Sequence, residues 1–286
     1  MPMPLLEVRH LSVRFRTDEG TVDAVRDVSF SLNKGETLAI VGESGSGKSV
    51  TALALTRLVP CPPAEVTAGE VLLDGKDTLK MDPADPRKVR GGRIAYVFQE
   101  PSTSLNPVYS IESQIAEAIR LHRPEIHDVR KEIIHWLNAV GIVEPEKRMR
   151  DYPHQLSGGM QQRAMIAMAL SGQPDVLIAD EPTTALDVTI QAQIIRELVA
   201  LQAQLGMAIV LITHNFGIVS GFANHVAVMY RGRIVEMGET SEILQRPQHP
   251  YTKALIDCIP RLGSGRGRLP VIDLPDEVSE TNVTPA

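Results

Sequence analysis

Residues 42–49 read Gly-Glu-Ser-Gly-Ser-Gly-Lys-Ser and match the pattern G-x-x-x-x-G-K-[ST] at every specified position. The apolar run Thr37–Val41 before them predicts a strand, and Val50–Leu58 after them favours a helix. A glycine-rich loop between a strand and a helix is typical of an α/β fold in which backbone N–H groups and the helix N-terminus surround an anion. The stretch therefore predicts both a fold class and a phosphate site.

Lys48 and Ser49 add side-chain chemistry to this loop. Lys48 is predicted to reach the β- and γ-phosphates of a nucleotide, and Ser49 to offer its hydroxyl to Mg²⁺. The alternative is a glycine-rich turn capped by Ser49, which would require strand, spacing, lysine and hydroxyl to coincide by accident. The residues predicted to form the phosphate cradle itself are Gly42, Glu43, Ser44, Gly45, Ser46 and Gly47.

The composition bounds the class of protein. The 286 residues carry a net charge of -6 and are 43% hydrophobic but only 4% aromatic, a balance that does not favour binding to nucleic acid. Cys61 and Cys258 are too few for a disulfide framework and have no metal-ligand spacing, which favours a reducing compartment. No basic leader and no run of ~18 apolar residues is present, so any membrane role is expected to come through a partner.

Paired strands are predicted over Leu5–Phe15 and Val22–Leu32, with turn residues between them. Phe15 lies near the end of the first strand, where its ring could stack on adenine or pack into the core. The residues alone favour the core.

A mostly helical insertion is predicted over residues 100–170. Gln99 ends the strand before it, and Trp136 is predicted to lie in its core. The strands and helices predicted in this part of the chain are Glu70–Asp74, Arg93–Gln99, Ile111–Arg120 and Val129–Val140, and the stretch 81–86 is predicted as a loop.

Ser157 lies just before the helical pattern Gln161–Leu170 and is predicted near the N-cap, which would create a second helix end suited to an anion. A plain helix cap is the alternative for a Ser-Gly-Gly start. Met160, Met165 and Met168 are predicted to be core residues.

Two carboxylates follow the buried strand predicted over Val176–Ala179. Ligands in open α/β sheets bind at the carboxyl ends of the strands. Asp180 is therefore predicted to orient Mg²⁺ or its water, and Glu181 to activate the attacking water. The alternative is a solvated turn before Pro182.

His214 ends a further predicted strand, Ala208–Thr213, which follows a helix over Thr189–Leu205. Alone it would be a strand-end residue satisfied by backbone, but phosphate chemistry at the same edge favours contact with a γ-phosphate. Beyond it the chain predicts a hairpin, Val226–Tyr230 with Ile234–Met237, a helix over Tyr251–Ile259, and a linker followed by a disordered acidic tail.

Together these motifs resemble the ATP-binding subunit of an ABC transporter, over about residues 5–260. The resemblance is specific because separated motifs agree in order, identity and spacing. It implies a phosphate-loop ATPase core with a parallel sheet, an antiparallel β-subdomain and an α-helical insertion. The motifs that carry it are Gly42–Ser49, Gln99, Leu156–Met160, Val176–Glu181, Ala185–Asp187 and His214.

The resemblance implies a head-to-tail dimer with two ATP molecules between the subunits. Lys48, Ser49, Gln99, Asp180, Glu181 and His214 would then act in cis, with Ser49, Gln99 and Asp180 serving Mg²⁺. Ser157, Gly158 and Gly159 would contact the γ-phosphate bound by the other subunit. Phe15 aligns with the adenine-stacking aromatic, which reverses the preference for a core role, and Asp187 would lie at the dimer seam.

Finer features resemble the dipeptide/oligopeptide importers, namely residues 99–107, Met160, residues 183–189 and His249–Thr252. Asn215 departs from the Asp usual after the histidine, and the lack of a cysteine-rich C-terminal extension predicts no iron-sulfur cluster. Importers of nickel, opines or glycans share the pattern and remain alternatives for the substrate. A nucleic-acid-acting ABC ATPase is a distant alternative that the charge disfavours.

The implied partners are transmembrane permease subunits, a second ATPase subunit that is either identical or related, and an extracytoplasmic substrate-binding protein, with no nucleic acid. The implied location is peripheral, on the cytoplasmic face of the inner membrane. An ATPase domain is predicted over residues 5–260, followed by a tail over residues 261–286.

Overall fold

The structure, a computed structural model, describes residues 3–18, 20–81, 89–183 and 187–258. The chain divides into two units, one of residues 1–80 with 211–286 and the other of residues 81–210. Among the described residues, no helix combines the length and apolar composition that a membrane span requires.

An antiparallel sheet with strand order β2-β1-β4-β5 belongs to the first unit. Its strands are β1 (Leu6–Thr17), β2 (Gly20–Leu32), β4 (Ala64–Leu73) and β5 (Lys76–Asp77). The paired N-terminal strands are confirmed, whereas β4 starts six residues before the predicted Glu70. Asp74 follows β4 with a φ of 48° and therefore belongs to the turn.

The phosphate-loop motif directly follows a strand that belongs to a parallel pair in the same unit. Strand β3 (Thr37–Val41) is buried at every residue and pairs in parallel with β9 (His225–Tyr230), which forms the predicted hairpin with β10 (Arg233–Glu239). Strand β8 (Ala208–Thr213) is also buried throughout, and the division between the two units falls within it. Continuous apolar runs of this kind are what strands covered on both faces require.

Helix α1 (Lys48–Leu55) begins and ends earlier than the predicted Val50–Leu58. It begins at Lys48 because Gly47, its N-cap, has a left-handed φ of 103° and takes the chain directly into the first turn. It ends before Arg57, whose φ of 54° cannot continue a right-handed helix.

The second unit contains the predicted helical segment between two parallel strands, β6 (Ile94–Val97) and β7 (Val176–Asp180). Trp136 is buried there as predicted, but among the three methionines only Met165 is buried, since Met160 and Met168 are half-buried. The helices of this segment are α2 (Pro101–Ser104), α3 (Ile111–His122), α4 (Val129–Ala139), α5 (Pro145–Arg148) and α6 (Gly158–Ser171).

The remaining helices are α7 (Val188–Leu205), which ends at a left-handed Gly206, and the shorter α8 (Phe216–Val219), α9 (Thr240–Gln245) and α10 (Pro250–Asp257). The predicted loop at 82–86, Ile259 and the tail over 261–286 lie outside the described residues. The domain boundaries at residues 5, 260 and 261 stay a prediction.

Candidate functional site

The phosphate loop (Gly42–Ser49) connects the buried end of β3 to the first turn of α1. Glycine conformations shape it: φ is 154° at Gly42, 80° at Gly45 and 103° at Gly47. Gly47 supplies no side-chain cap to α1. The N–H groups at the start of this helix are therefore suited to an anionic ligand.

Gly42 and Gly47 have no room for a side chain. A Cβ on Gly42 would lie 2.1 Å from the Met229 carbonyl oxygen, and one on Gly47 would lie 2.4 Å from the Ala24 carbonyl oxygen. A Cβ on Gly45 would meet no atom within 4 Å. The loop is thus packed tightly against the backbone of its own unit on one side, while Glu43, Ser44 and Gly45 are exposed on the other.

Lys48 is only 5% exposed although it carries a charge. Its ammonium donates hydrogen bonds to the carbonyl oxygens of Gly42 at 2.8 Å and Glu43 at 2.7 Å, and it lies 3.4 Å from Ser46 Oγ. A buried cation needs such oxygen partners, and here the carbonyl groups of the loop itself supply them. Ser49 follows in the first turn of α1 with an exposed side chain.

The carboxylate edge (Asp180 and Glu181) lies at the end of β7 in the second unit. Asp180 is 6% exposed, and the Tyr96 hydroxyl on neighbouring β6 donates a hydrogen bond of 2.7 Å to its Oδ2 atom. Burial, followed by the charge of Asp180, raises the pKa of Tyr96 above its ordinary value. The phenol therefore stays protonated and acts as a donor to the carboxylate.

Glu181 turns the chain out of β7 with a φ of 46°, an unusual conformation for a residue other than glycine. Its Oε2 atom accepts a hydrogen bond of 3.0 Å from the Gln99 side chain. Gln99 lies two residues after β6 ends at Val97, so the strand is shorter than the predicted Arg93–Gln99. The role predicted for Gln99 stays a prediction.

Ser157 is the N-cap of the fourteen-residue helix α6, as predicted. Its Oγ atom accepts a hydrogen bond of 3.4 Å from the Met160 N–H, and both Ser157 and Gly158 are exposed. The N-terminus of α6, including Gly159, therefore presents a positive helix end at the surface.

The other predicted site residues lie on separate elements. Phe15 is half-buried on β1, opposite Val22 of β2 and Ala64 of β4. His214 is exposed directly after β8. Asp187 is the N-cap of α7 and accepts a hydrogen bond of 2.9 Å from Ile190 N–H. The functional roles predicted for these residues stay predictions.

Two known protein families match parts of this chain. The family described as "ABC transporter" matches residues 25–184, more than half of the chain, and the family described as "Oligopeptide/dipeptide transporter, C-terminal region" matches residues 235–282. The chain belongs to the ABC transporter family.

Members of this family with similar sequences are named for peptide transport. A probable peptide ABC transporter ATP-binding protein of Sinorhizobium fredii is 49% identical over 94% of this chain and 81% of that protein. An oligopeptide transport ATP-binding protein of Bacillus subtilis is 50% identical over 91% of this chain and 73% of that protein.

Solved structures agree with the fold. A dimeric ATP-binding cassette in a post-hydrolysis state with ADP and Pi has a TM-score of 0.74 and 27% identity, covering 82% of this chain and 98% of its own. The chain is accordingly an ATP-hydrolysing ABC subunit, and the predicted fold class is confirmed.

The donor groups of this ABC subunit fit ATP and Mg²⁺. The crowding at Gly42 and Gly47 leaves no room for a side chain at either position, and Lys48 supplies a buried positive charge. Hydroxyl, carboxylate and amide oxygens, as on Ser49, Asp180 and Gln99, are the ligand types that Mg²⁺ prefers.

Sequence reasoning did not find Tyr96 and did not give Tyr251 a role. Tyr96 stands in a short apolar strand where an aromatic residue is ordinary, so no local signal marks its contact with Asp180. The residues predict only that Tyr251 begins a helix, and the resemblance adds only that His249–Thr252 is a feature of the dipeptide/oligopeptide importers.

Proposed function

We propose that this chain is the ATP-hydrolysing subunit of an importer for di- or oligopeptides. The match of residues 235–282 to the C-terminal region of oligopeptide/dipeptide transporters carries the proposed substrate class. The names of the similar peptide transport proteins support it. The phosphate loop supports the chemistry.

The phosphate loop would bind the nucleotide. Its backbone N–H groups and the start of α1 would face the phosphate oxygens, with the Lys48 ammonium beside the β- and γ-phosphates. Because Lys48 is already held by loop carbonyl groups, little side-chain ordering would be needed on binding. Phe15 would stack on the adenine ring.

Ser49, Asp180 and Gln99 would hold Mg²⁺, directly or through water. The bound ion would offset charge on the β- and γ-phosphate oxygens during transfer. Tyr96 holds one oxygen of Asp180 and so limits how this carboxylate can rotate.

Glu181 would act as the general base. It would accept a proton from a water molecule as the water oxygen forms a bond to the γ-phosphorus atom and the bond from that atom to the β–γ bridging oxygen breaks. Gln99 would orient the Glu181 carboxylate through the hydrogen bond already present, and His214 would donate to a γ-phosphate oxygen.

The full site would need two subunits. Ser157, Gly158 and Gly159 at the start of α6 would contact the γ-phosphate bound by the other subunit, and Asp187 would lie at the seam. The dimeric cassette among the solved structures supports this arrangement. The second subunit would be a copy of this chain or a related ATPase.

The chain would act from the cytoplasmic face of the membrane on transmembrane permease subunits, which receive peptide from an extracytoplasmic binding protein. Closure of the two ATPase subunits on ATP and their opening after hydrolysis would drive the permease between its two open states.

The test is uptake into proteoliposomes that contain this chain with the permease subunits that co-purify with it. MgATP hydrolysis coupled to uptake of labelled di- or oligopeptides is the expected result. Uptake of nickel, an opine or an oligosaccharide in place of peptide would correct the substrate. Tight, salt-sensitive retention of DNA or RNA in a filter-binding assay, without uptake, would replace the transporter role.

A further inference from the structure

The segment His249–Thr252 builds the start of helix α10 and is not used by the proposed chemistry. His249 is the N-cap, and its Nδ1 atom accepts a hydrogen bond of 3.2 Å from the Tyr251 N–H. Pro250 occupies the first helical position, where no N–H is needed. His249 and Pro250 thus set where the helix starts, and so help to place Tyr251, its second residue.

Glu236 fixes this helix start to the hairpin of the sheet. Its carboxylate, almost fully buried on β10, accepts hydrogen bonds from the N–H groups of Gln248 at 2.7 Å and His249 at 3.0 Å. A buried carboxylate with two backbone donors is a strong, geometrically defined contact. The position of Tyr251 is therefore determined by the hairpin as well as by its own helix.

Tyr251 is fully buried, with 0% of the residue exposed. Its ring packs on the Tyr230 ring with a centroid distance of 4.3 Å, in a cluster that includes Val41 and Val228. Its hydroxyl accepts a hydrogen bond of 3.0 Å from the N–H of Glu43, the second residue of the phosphate loop. Burial raises the pKa of Tyr251 to about 12, so the hydroxyl is neutral at physiological pH.

We infer that Tyr251 is a positioning residue for the phosphate loop. Its hydroxyl holds the N–H of Glu43 while Lys48 binds the Gly42 carbonyl oxygen, so the peptide group that joins Gly42 to Glu43 is fixed at both of its polar ends. The C-terminal helix α10 thereby helps to preset the loop for nucleotide. This inference rests on the proposed binding of ATP at the loop.

The contact links residues 208 positions apart in the sequence. A loop held in its binding shape loses less conformational freedom on binding, so removing the contact lowers nucleotide affinity rather than the rate of the chemical step. If packing were the whole role of Tyr251, a phenylalanine that keeps the ring would preserve affinity.

The test compares Tyr251→Phe with Tyr230→Phe, the same chemical change in the ring that packs against it. MgADP affinity is measured by calorimetry on the full chain, together with melting temperature and hydrogen exchange of the Glu43 amide. We expect Tyr251→Phe to raise the Kd for MgADP by about three- to tenfold and to speed Glu43 exchange, with a melting temperature like that of the control.

A Kd within twofold of the wild type, with unchanged Glu43 exchange, would overturn the inference. If Tyr251→Phe does not fold, the wild type decides: exchange of the Glu43 amide at its intrinsic rate overturns the contact, whereas at least tenfold slower exchange supports it. Failure of the wild type to bind either MgADP or MgATP would instead reject the proposed function.

Discussion

The phosphate loop and the carboxylate edge carry two parts of the proposed chemistry, but different interactions hold them in shape. The loop is set largely by backbone: glycines with positive φ, crowding at Gly42 and Gly47, and a lysine that binds carbonyl groups five and six residues before it. The edge is set by side chains, Tyr96 and Gln99, which lie 84 and 82 residues from their partners.

This difference predicts different sensitivities. A single added methyl group can disrupt the loop, because backbone atoms surround it and cannot move aside easily. The carboxylate edge can keep its backbone while a single hydroxyl or carboxylate is changed. Binding and chemistry should therefore separate between the two regions.

The largest expected effect is that of Glu181→Gln. The amide keeps an oxygen that can accept from Gln99, but it cannot take a proton from water, so ATP hydrolysis should fall by about 10²- to 10⁴-fold. The Kd for ATP should stay within a few-fold of the wild type, since the loop is unchanged. Steady-state phosphate release and equilibrium ATP binding measure the two quantities.

Glu146→Gln is the matched control, because it makes the same change at an exposed position on α5. It should leave both quantities unchanged. Near-normal hydrolysis by Glu181→Gln would remove Glu181 as the base and, with it, the proposed separation of binding from chemistry.

The next effect tests the backbone control of the loop. Gly47→Ala combines a φ of 103° with a Cβ that would lie 2.4 Å from the Ala24 carbonyl oxygen, and should lower the free energy of unfolding by about 2–4 kcal/mol. Gly45→Ala has a φ of 80° but open space, and should cost about 1–2 kcal/mol. Chemical denaturation of both variants measures the gap. Equal losses would mean that conformation alone, without crowding, shapes the loop.

The same difference explains what could be predicted from sequence. Every element of the loop lies within a contiguous stretch, so strand, glycines, lysine and the approximate helix could be predicted. The helix bounds were wrong because the left-handed conformations of Gly47 and Arg57 decide them. Asp180 and Glu181 were found by their place at a strand end, as was Gln99.

Tyr96 could not be found in this way, because its importance depends on which strand pairs with β7 and on which face its ring lies. Tyr251 shows the same limit, because its partner Glu43 is distant in the sequence. The sequence His249–Thr252 indicates no chemical role until the positions of Tyr251 and Glu43 in the fold are known. The sequence patterns predict functional groups, whereas the residues that orient them depend on tertiary contacts.

A smaller effect is expected from Tyr96→Phe. The change removes the hydrogen bond to Asp180 but keeps the ring, whose centroid lies 4.4 Å from that of Phe98. A hydrogen bond to a charged group contributes about 1.5–3 kcal/mol, and part of that should remain through water, so the Mg²⁺ concentration for half-maximal ATPase should rise about three- to tenfold. Titrating Mg²⁺ at fixed ATP measures it, and Mn²⁺ binding followed by electron paramagnetic resonance gives a readout independent of turnover.

The control for this change is Tyr109→Phe, since Tyr109 is 55% exposed. If Tyr96→Phe matches this control in both metal measurements, the carboxylate edge does not depend on the side chain from β6, and the contrast with the loop fails at that point.

The smallest expected effect concerns Asp187. It follows the carboxylate edge in the sequence, but its side chain contacts a residue only three positions away, as Lys48 of the phosphate loop contacts residues five and six positions away. Its side chain caps α7 through the Ile190 N–H at 2.9 Å. Asn caps as well as Asp, so Asp187→Asn should change the free energy of unfolding by less than about 0.5 kcal/mol, whereas Asp187→Ala should cost about 1 kcal/mol. Denaturation and ATPase measured on both variants separate the cap from the charge.

If Asp187→Asn keeps stability but loses ATPase, the charge acts at the proposed seam between subunits, and local capping does not describe its role. If Asp187→Asn keeps both stability and ATPase, Asp187 only caps α7. Positioning by side chains distant in the sequence then applies to Asp180 and Glu181 but not to Asp187.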